Sequence, residues 1–485
     1  MRDYDAIIVG GGIGGLTAAA LLSDAGKKVL LLEQHNEPGG CAATFSHNGY
    51  RFDAGATIGC GFQEDGPMAW LAARLDINWP TYPLPTAWKY IDGKNTISLD
   101  PKRREILRRF PESQSFWKEQ EKVADKLWGI SASILSQYHL NRLQQLSTLA
   151  RSLPKKLLHP KIIQLSLLSV RRWLRLHNLE KNREFCRFID AQLLISSQTT
   201  SPFANALFGA IALDLPRKSP CSVQGGMGTI ARILSEAVKE RGGIIHCKEK
   251  ALSLETIKGK VTGVVSDKNN YSAKEFIING SSASLAALLK KPIPRDWKKK
   301  SRSRWGAFIL HMGLPYDLLA GLNSHHLQII DNSNTTLAEG HSLFLSSSHP
   351  QDISRAQPDR VAVSISTHTD VDLWWKAYQK GIDAYREMKT EYTEKMLSLL
   401  ERHVPGVYDT MDFCLAGTPI SYARYTGRHL GLVGGYTQNG IFPPRQNLFG
   451  LKNCSLVGDA NFPGQSLAGV TVGAVLKAEQ ILRRT

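Results

Sequence analysis

Five glycines in six positions, Gly10-Gly11-Gly12-Ile13-Gly14-Gly15, follow directly on the apolar run Ala6-Ile-Ile-Val9 and open a small, apolar stretch from Leu16 to Ala25. An unbroken apolar run of this length is the pattern of a strand buried on both faces of a parallel sheet. The glycines fit G-x-G-x-x-G at Gly10, Gly12 and Gly15. The first permits the tight turn, the second lets backbone approach a pyrophosphate, and the third lets the helix lie close on the strand. The phosphate charge then meets the positive end of the helix. Gly26 caps that helix and Val29-Leu-Leu-Leu32 is the second buried strand. Eighteen residues after Gly15 stands Glu33, at the end of the second strand, where a carboxylate accepts ribose hydroxyls. An acid there suits a free 2′-hydroxyl and opposes a 2′-phosphate, so NADP is disfavoured. Strand, loop, helix, strand and acid in register predict a dinucleotide-binding α/β unit.

Glu33 is followed after five residues by Gly39-Gly40, and then by Phe52-Asp53-Ala54-Gly55-Ala56-Thr57. This arrangement resembles the FAD-binding amine oxidase and carotenoid desaturase superfamily. Three further segments continue the resemblance in the family's order: Gln224-Gly225-Gly226-Met227-Gly228 ahead of a helix, Leu456-Val457-Gly458-Asp459-Ala460, and Phe462-Pro-Gly-Gln-Ser-Leu-Ala-Gly469-Val470. The resemblance implies FAD as cofactor. It places Gly10, Gly12, Ile13, Gly14, Gly15, Glu33, Gly39, Gly40, Thr57, Ala251, Gly458, Asp459, Gly469 and Val470 at the cofactor. Asp459 would meet the ribityl chain, and the helix after it would point its N-terminus at the flavin carbonyl end, where the dipole favours the anionic reduced ring. Ala251 would give a backbone contact to adenine, at a position where the family more usually has Val.

Gly417-Thr-Pro-Ile-Ser-Tyr-Ala-Arg-Tyr-Thr-Gly-Arg428, Gly434-Gly435, Pro38-Gly-Gly-Cys-Ala-Ala-Thr-Phe45 and Arg109-Phe-Pro111 resemble carotenoid desaturases and isomerases, nearest the bacterial 3',4'-desaturases. The activity this implies is desaturation of a C40 polyene by hydride transfer to flavin N5, with oxygen or a quinone reoxidising the flavin. Rivals are flavin-dependent cis–trans isomerisation, a retinol-saturase-like reductase, and a non-catalytic prenyl-lipid carrier, which Glu33, Gly39-Gly40 and Asp459 argue against. Loss of a proton beside a cation spread over a polyene does not oblige a strong protein base. No Ser-His-Asp arrangement, paired carboxylates or metal-ligand cluster is legible, so the catalytic residues stay unassigned and no metal is expected. Arg424, Tyr425 and Arg428 are candidates for a flavin-side or tunnel-mouth role, with solvated strand and turn residues the equal alternative. His311, His341 and His368 read as satisfied core or surface histidines, and Cys41 as a small packed thiol.

Charge enters here. Lys plus Arg is 60 against 43 for Asp plus Glu, a net +17. From Leu127 to Leu179 there is no acid and there are eight Lys or Arg. Within it Ile163, Leu167, Val170 and Leu174 make an apolar stripe at helical spacing, with Lys161, Arg171, Arg172 and Arg175 beside it and Trp173 as an interfacial aromatic. That is the composition of a helix lying in an anionic membrane surface, and equally of a cap helix with its stripe in the core. A second cluster runs from Lys290-Lys291 through Arg295 to Arg304, with Trp297 and Trp305. No helix-turn-helix, zinc or RNP-like pattern accompanies the charge, so nucleic acid is not an expected partner. Seven dispersed cysteines without CxxC read as reduced thiols. Met1 to Gly10 runs straight into a strand, so no secretory signal is expected, and no apolar stretch is long enough to span a bilayer.

The expectation is an α/β fold. A discontinuous Rossmann-type FAD-binding domain takes residues 1–60, 222–282 and 430–485, and an α+β substrate domain with a helical, membrane-facing cap takes 61–221 and 283–429. The location expected is cytoplasmic, peripheral on the inner membrane face, with a lipophilic polyene as substrate.

Overall fold

A computed structural model of the chain describes residues 3–93, 95–136, 159–293, 304–332, 335–435, 438–439 and 449–484. It is built on two seven-stranded sheets. In the first, β1 (Asp3–Val9) lies between β2 (Val29–Leu32) and the strand Asn270–Asn279, parallel to both. Strand Ile244–His246 extends the β2 edge in parallel, Cys454–Val457 pairs in parallel with 270–279, and the hairpin 251–266 continues the sheet antiparallel. Ile7 and Ile8 of β1 and all of β2 are buried, as unbroken apolar runs between two layers require.

Helix α1 (Ile13–Asp24) is buried along nearly all its length, packed against helices Gly228–Glu240 and Leu467–Leu482. Its end is set by Gly26 at φ +74°. The Gly26 amide donates to the Ser23 carbonyl and the Lys27 amide to the Leu22 carbonyl, the paired bonds that close a helix on a left-handed glycine.

The second sheet runs in the order 414–417, 305–315, 360–370, 342–347, 326–330, 88–92, 95–99. Its long central pair, Trp305–Pro315 and Arg360–Asp370, is antiparallel with Leu310 opposite Ile365. Helices Val371–Lys380 and Ile382–His403 pack on one side of it through Trp374, Met396 and Leu400. The sequence predicts a single helix around 376–402; the structure divides it at Gly381, whose φ of +132° lies outside the helical range. Helices between Arg104 and Ala212 form a layer with its own aromatic core, including Phe116, Trp117, Trp173 and Phe185, against the 88–99 hairpin.

That layer corrects the reading of residues 161–176. The stretch is two short helices, Pro160–Ser166 and Val170–Leu176, because the Ser169 hydroxyl caps the second by accepting from the Arg172 amide. The break splits the stripe: Val170 and Leu174 are fully buried, while Ile163 and Leu167 are 46% and 73% exposed. Trp173 is no interfacial aromatic. It is completely buried and donates from Nε1 to Glu119 at 2.7 Å. Lys161 pairs with Glu119 at 2.9 Å and Arg171 with Asp190 at 3.5 Å, so part of the basic charge is neutralised by neighbours outside the acid-free segment. Of the eight cations, Arg142, Arg151, Lys155 and Lys156 lie outside the described residues, as do Arg295 and Trp297 of the second cluster. Arg304 is paired with Asp370 and Asp372. Among the described residues no helix is long and apolar enough to cross a membrane.

Candidate functional site

The C-terminal ends of β1, β2, 270–279 and 454–457 converge on the N-terminus of α1, the place where open α/β sheets take ligands. Gly10, at φ +99°, makes the turn and donates to the Leu32 carbonyl at 2.8 Å. A Cβ on Gly15 would overlap the Gly10 carbonyl oxygen, so only glycine lets α1 sit this close to β1. Gly12 stands at the cap position in extended conformation with no side-chain cap, which leaves the first amides of α1 open. Ile13 and Gly14 form the first turn.

Glu33 is buried beside this loop. Its Oε2 accepts from the Gly11 amide at 2.7 Å and its Oε1 from the His35 amide at 2.9 Å. The Gly39 amide donates to the Gly11 carbonyl at 2.8 Å, so the Gly39-Gly40 turn is laced to the first loop, and a Cβ on Gly40 would stand 3.5 Å from Gly12 Cα. From the other side come Gly458, at φ +106°, and Val470: a Cβ on Gly14 would lie 3.0 Å from the Gly458 amide nitrogen and 3.2 Å from Val470 Cγ1. Gly469 is in the first turn of helix Leu467–Leu482, capped by Ser466. Ala251 begins the strand after Glu249, whose amide donates to the Glu33 carbonyl at 2.9 Å. An uncapped helix terminus in a cradle floored by glycine from several segments fits an extended, phosphate-bearing dinucleotide, and it fits no bulky group at the floor.

Two features of the site escape sequence reasoning, and so does one pairing of residues that it names separately. Asn279 ends its strand with its side chain against the positions a Cβ would take on Gly12 and Gly14; the run Phe276-Ile-Ile-Asn-Gly280 carried the signal, a third buried strand stopping on a polar residue at the same sheet edge. Asp53 and Arg355 form a buried ion pair at 3.1 Å. Arg428 joins Asp459 at 2.7 Å and Cys41 Sγ at 3.3 Å. Of the three residues named around 424–428, only Arg428 has contacts with motif residues; Arg424 lies over the ring of Tyr425, which is 61% exposed.

Thr57 is set apart from the glycine cradle. Its hydroxyl lies 2.8 Å from the Ser346 hydroxyl, on a small polar cavity beside the second sheet that Asp53, Ser364, Asp352 and Arg355 also line. Ser346 in turn meets His326 Nδ1 at 2.9 Å. The predicted histidines are all partnered: His311 with Ser364 at 2.9 Å, His341 with Asp331 at 2.9 Å, His368 with Gln198 at 3.0 Å. Burial pushes the His311 and His326 imidazoles down to about 3 and His368 to about 4, so all three are neutral at physiological pH. Among the described residues no cluster of His, Cys, Asp and Glu could hold a metal ion.

Residues 8–75 match the NAD(P)-binding Rossmann-like domain family. Along 99% of its length the chain is 27% identical to prolycopene isomerase from Daucus carota, covering 80% of that protein. It is 25% identical to the 4,4'-diapophytoene desaturase (4,4'-diapolycopene-forming) of Methylomonas sp, over 99% of this chain and 95% of the relative. The solved structure of an oxidoreductase from Methanosarcina mazei superposes with a TM-score of 0.65 at 16% identity, over 99% of this chain and 100% of that one, and shares its fold. The resemblance to the carotenoid desaturase and isomerase family read from the motifs therefore holds along nearly the whole chain, with the isomerase and desaturase branches almost level in identity.

Proposed function

We propose that this chain, similar along nearly its whole length to carotenoid isomerases and desaturases, is an FAD-dependent desaturase of a C40 polyene. The observation that carries the proposal is the glycine cradle at the N-terminus of α1, closed by Glu33 on one side and by the Gly458-Asp459 turn on the other, in a chain with full-length desaturase and isomerase relatives. Residues 1–60, 222–282 and 430–485 form the cofactor domain in this proposal, and the second sheet with its helical layer handles the substrate. Bound FAD supplies a two-electron acceptor for a hydride lost from the polyene. The chain's own part is to bind and orient. The open amides of α1 would hold the pyrophosphate, Glu33 would accept the ribose hydroxyls and Asp459 the ribityl hydroxyls, and the N-terminus of Leu467–Leu482 would lend its dipole to the ring end. The proton lost from the neighbouring carbon needs no strong base. Oxygen or a membrane quinone serves as final acceptor.

A second reading, cis–trans isomerisation of a carotene, is favoured by the 27% identity to prolycopene isomerase over 99% of the chain. Expression in cells that accumulate neurosporene or lycopene separates the two. A red-shifted pigment means added double bonds, an unchanged chromophore length with altered isomers means isomerisation, and pigment identical to the control contradicts both.

So lipophilic a substrate points to docking on the inner face of an anionic membrane. The structure changes which residues would do it. Leu167 and Phe203 are 73% and 64% exposed, on segments joined by bonds from the Val170 amide to the Ala204 carbonyl and from the Arg171 amide to the Ser201 carbonyl. Arg172 and Arg175 lie in the same stretch. Inserting one such side chain contributes about 1.5 kcal/mol or more, and each nearby cation about 1 kcal/mol. The double variant Leu167→Ser with Phe203→Ser is expected to weaken pelleting with anionic vesicles at least tenfold with the fold intact; unchanged pelleting would contradict the docking proposal.

A further inference from the structure

The segment Thr418–Leu432 leaves the second sheet and reaches the cofactor cleft at two points. Tyr422 donates its hydroxyl to the Ala54 carbonyl at 2.7 Å. Arg428 goes further in: Nη1 lies 2.7 Å from Asp459 Oδ2 and donates to Cys41 Sγ at 3.3 Å, while Nε donates to the Leu432 carbonyl. Cys41 follows the Gly39-Gly40 turn that is bonded to Gly11, and Asp459 follows Gly458, which borders Gly14. The guanidinium thus touches both walls that close on the first turn of α1. Tyr422 fastens the same segment without any charge, so docking alone does not call for an arginine. Taking a guanidinium out of water costs several kcal/mol unless anions offset it, and its partners here are one partly exposed carboxylate, a thiol and the Leu432 carbonyl. Burial works against its charge, but Asp459 and then Cys41 hold it above the ordinary arginine range, so it stays cationic.

We propose that Arg428 is a positioning residue whose fixed charge favours the reduced form of the bound flavin and so sets its reduction potential. A hydride from the polyene carries two electrons and one proton onto the flavin, so the reduced ring has one more negative charge than the oxidised ring. A cation held at the cleft stabilises that added charge, and charge placed near the ring is a known way for a protein to tune it. The inference rests on the flavin reading above.

The test is the midpoint potential of the purified, flavin-loaded protein, measured against reference dyes for wild type, Arg428→Met, Arg428→Lys and Asp459→Asn. Arg428→Met is expected to lower the potential by about 30 mV or more, equal to a tenfold loss of preference for reduced over oxidised flavin in a two-electron couple. Arg428→Lys should restore most of it. Asp459→Asn, which removes the neutralising carboxylate, should raise the potential while weakening FAD binding. A general disturbance of the cleft would move Met and Asn variants in the same direction, and that result, or an unmoved potential, would overturn the inference. Should Arg428→Met fail to fold, Arg428→Gln supplies the lost-charge measurement to set against Arg428→Lys, because a lost charge and a kept charge predict different potentials. A wild-type protein without flavin would overturn both the flavin reading and this one; a loaded wild type with unmoved variants overturns this one alone.

Discussion

Arg355→Met is expected to lower the stability of the chain by about 3–5 kcal/mol, the usual cost of stranding a buried charge. Arg355 and Asp53 are both buried and lie 3.1 Å apart, Nη1 to Oδ2. Asp53 Oδ1 also accepts from the Thr44 hydroxyl and from the Met227 amide, each at 2.8 Å, and Arg355 Nε donates to the Arg51 carbonyl. The pair therefore ties together three parts of the chain: the hairpin after the Gly39-Gly40 turn, the Gln224–Gly228 loop leading into helix Gly228–Glu240, and the segment before strand Arg360–Asp370. Methionine fills much of the volume but leaves the Asp53 carboxylate buried beside two donors that offset only part of its lost hydration. The double variant Arg355→Met with Asp53→Asn should recover a good part of the loss, since no bare charge remains. Denaturant unfolding of the single and double variants measures both. Equal losses would mean that shape, not charge, makes the site sensitive.

Acid should destabilise the protein well before its carboxylates titrate. His311 lies between Phe45 and Phe52 with Ser364 on Nδ1, and His326 is enclosed beside Phe344 with Ser346 on Nδ1. Burial, with His47 and Arg355 adding repulsion in one case and His325 in the other, pushes both down to about 3. An unfolded imidazole titrates near 6.5. Between those values the unfolded chain binds protons that the folded chain does not, so stability is fully present above about pH 6.5 and is lost as pH falls toward 3. Each group contributes up to about 1.4 kcal/mol per pH unit in that window. A melting temperature that falls from pH 6.5 to pH 4.5, and falls less in His326→Gln, is the expected result. A flat profile over that range would mean that the two imidazoles accept protons in place.

The first sheet was legible where its rules are local. Ala6 to Val9, the glycines, Leu16 to Ala25 and Val29 to Leu32 each carry their own period and their own terminator, and β1, α1 and β2 stand there within a few residues. Glu33 was legible because its distance from the glycines is set by one helix and one strand. Long-range partners were not. Cys41 and Arg428 are separated by 387 positions, Asp53 and Arg355 by 302, and no period relates them. The stripe at 163–174 shows the opposite failure, a real period interrupted by a cap. Ser169 costs the helix one turn and sends Val170 and Leu174 inward while Leu167 stays out. Likewise Gly381 divides the single helix expected around 376–402.

In the proposed function a bound flavin exchanges electrons with a polyene, and this exchange is its core. Its most direct test is the visible absorption spectrum of the purified protein mixed anaerobically with a detergent-solubilised C40 carotenoid. The expected result is an oxidised flavin band that bleaches while the carotenoid bands move to longer wavelength. A protein that carries no flavin, or flavin and carotenoid bands that both stay as they were, would contradict it.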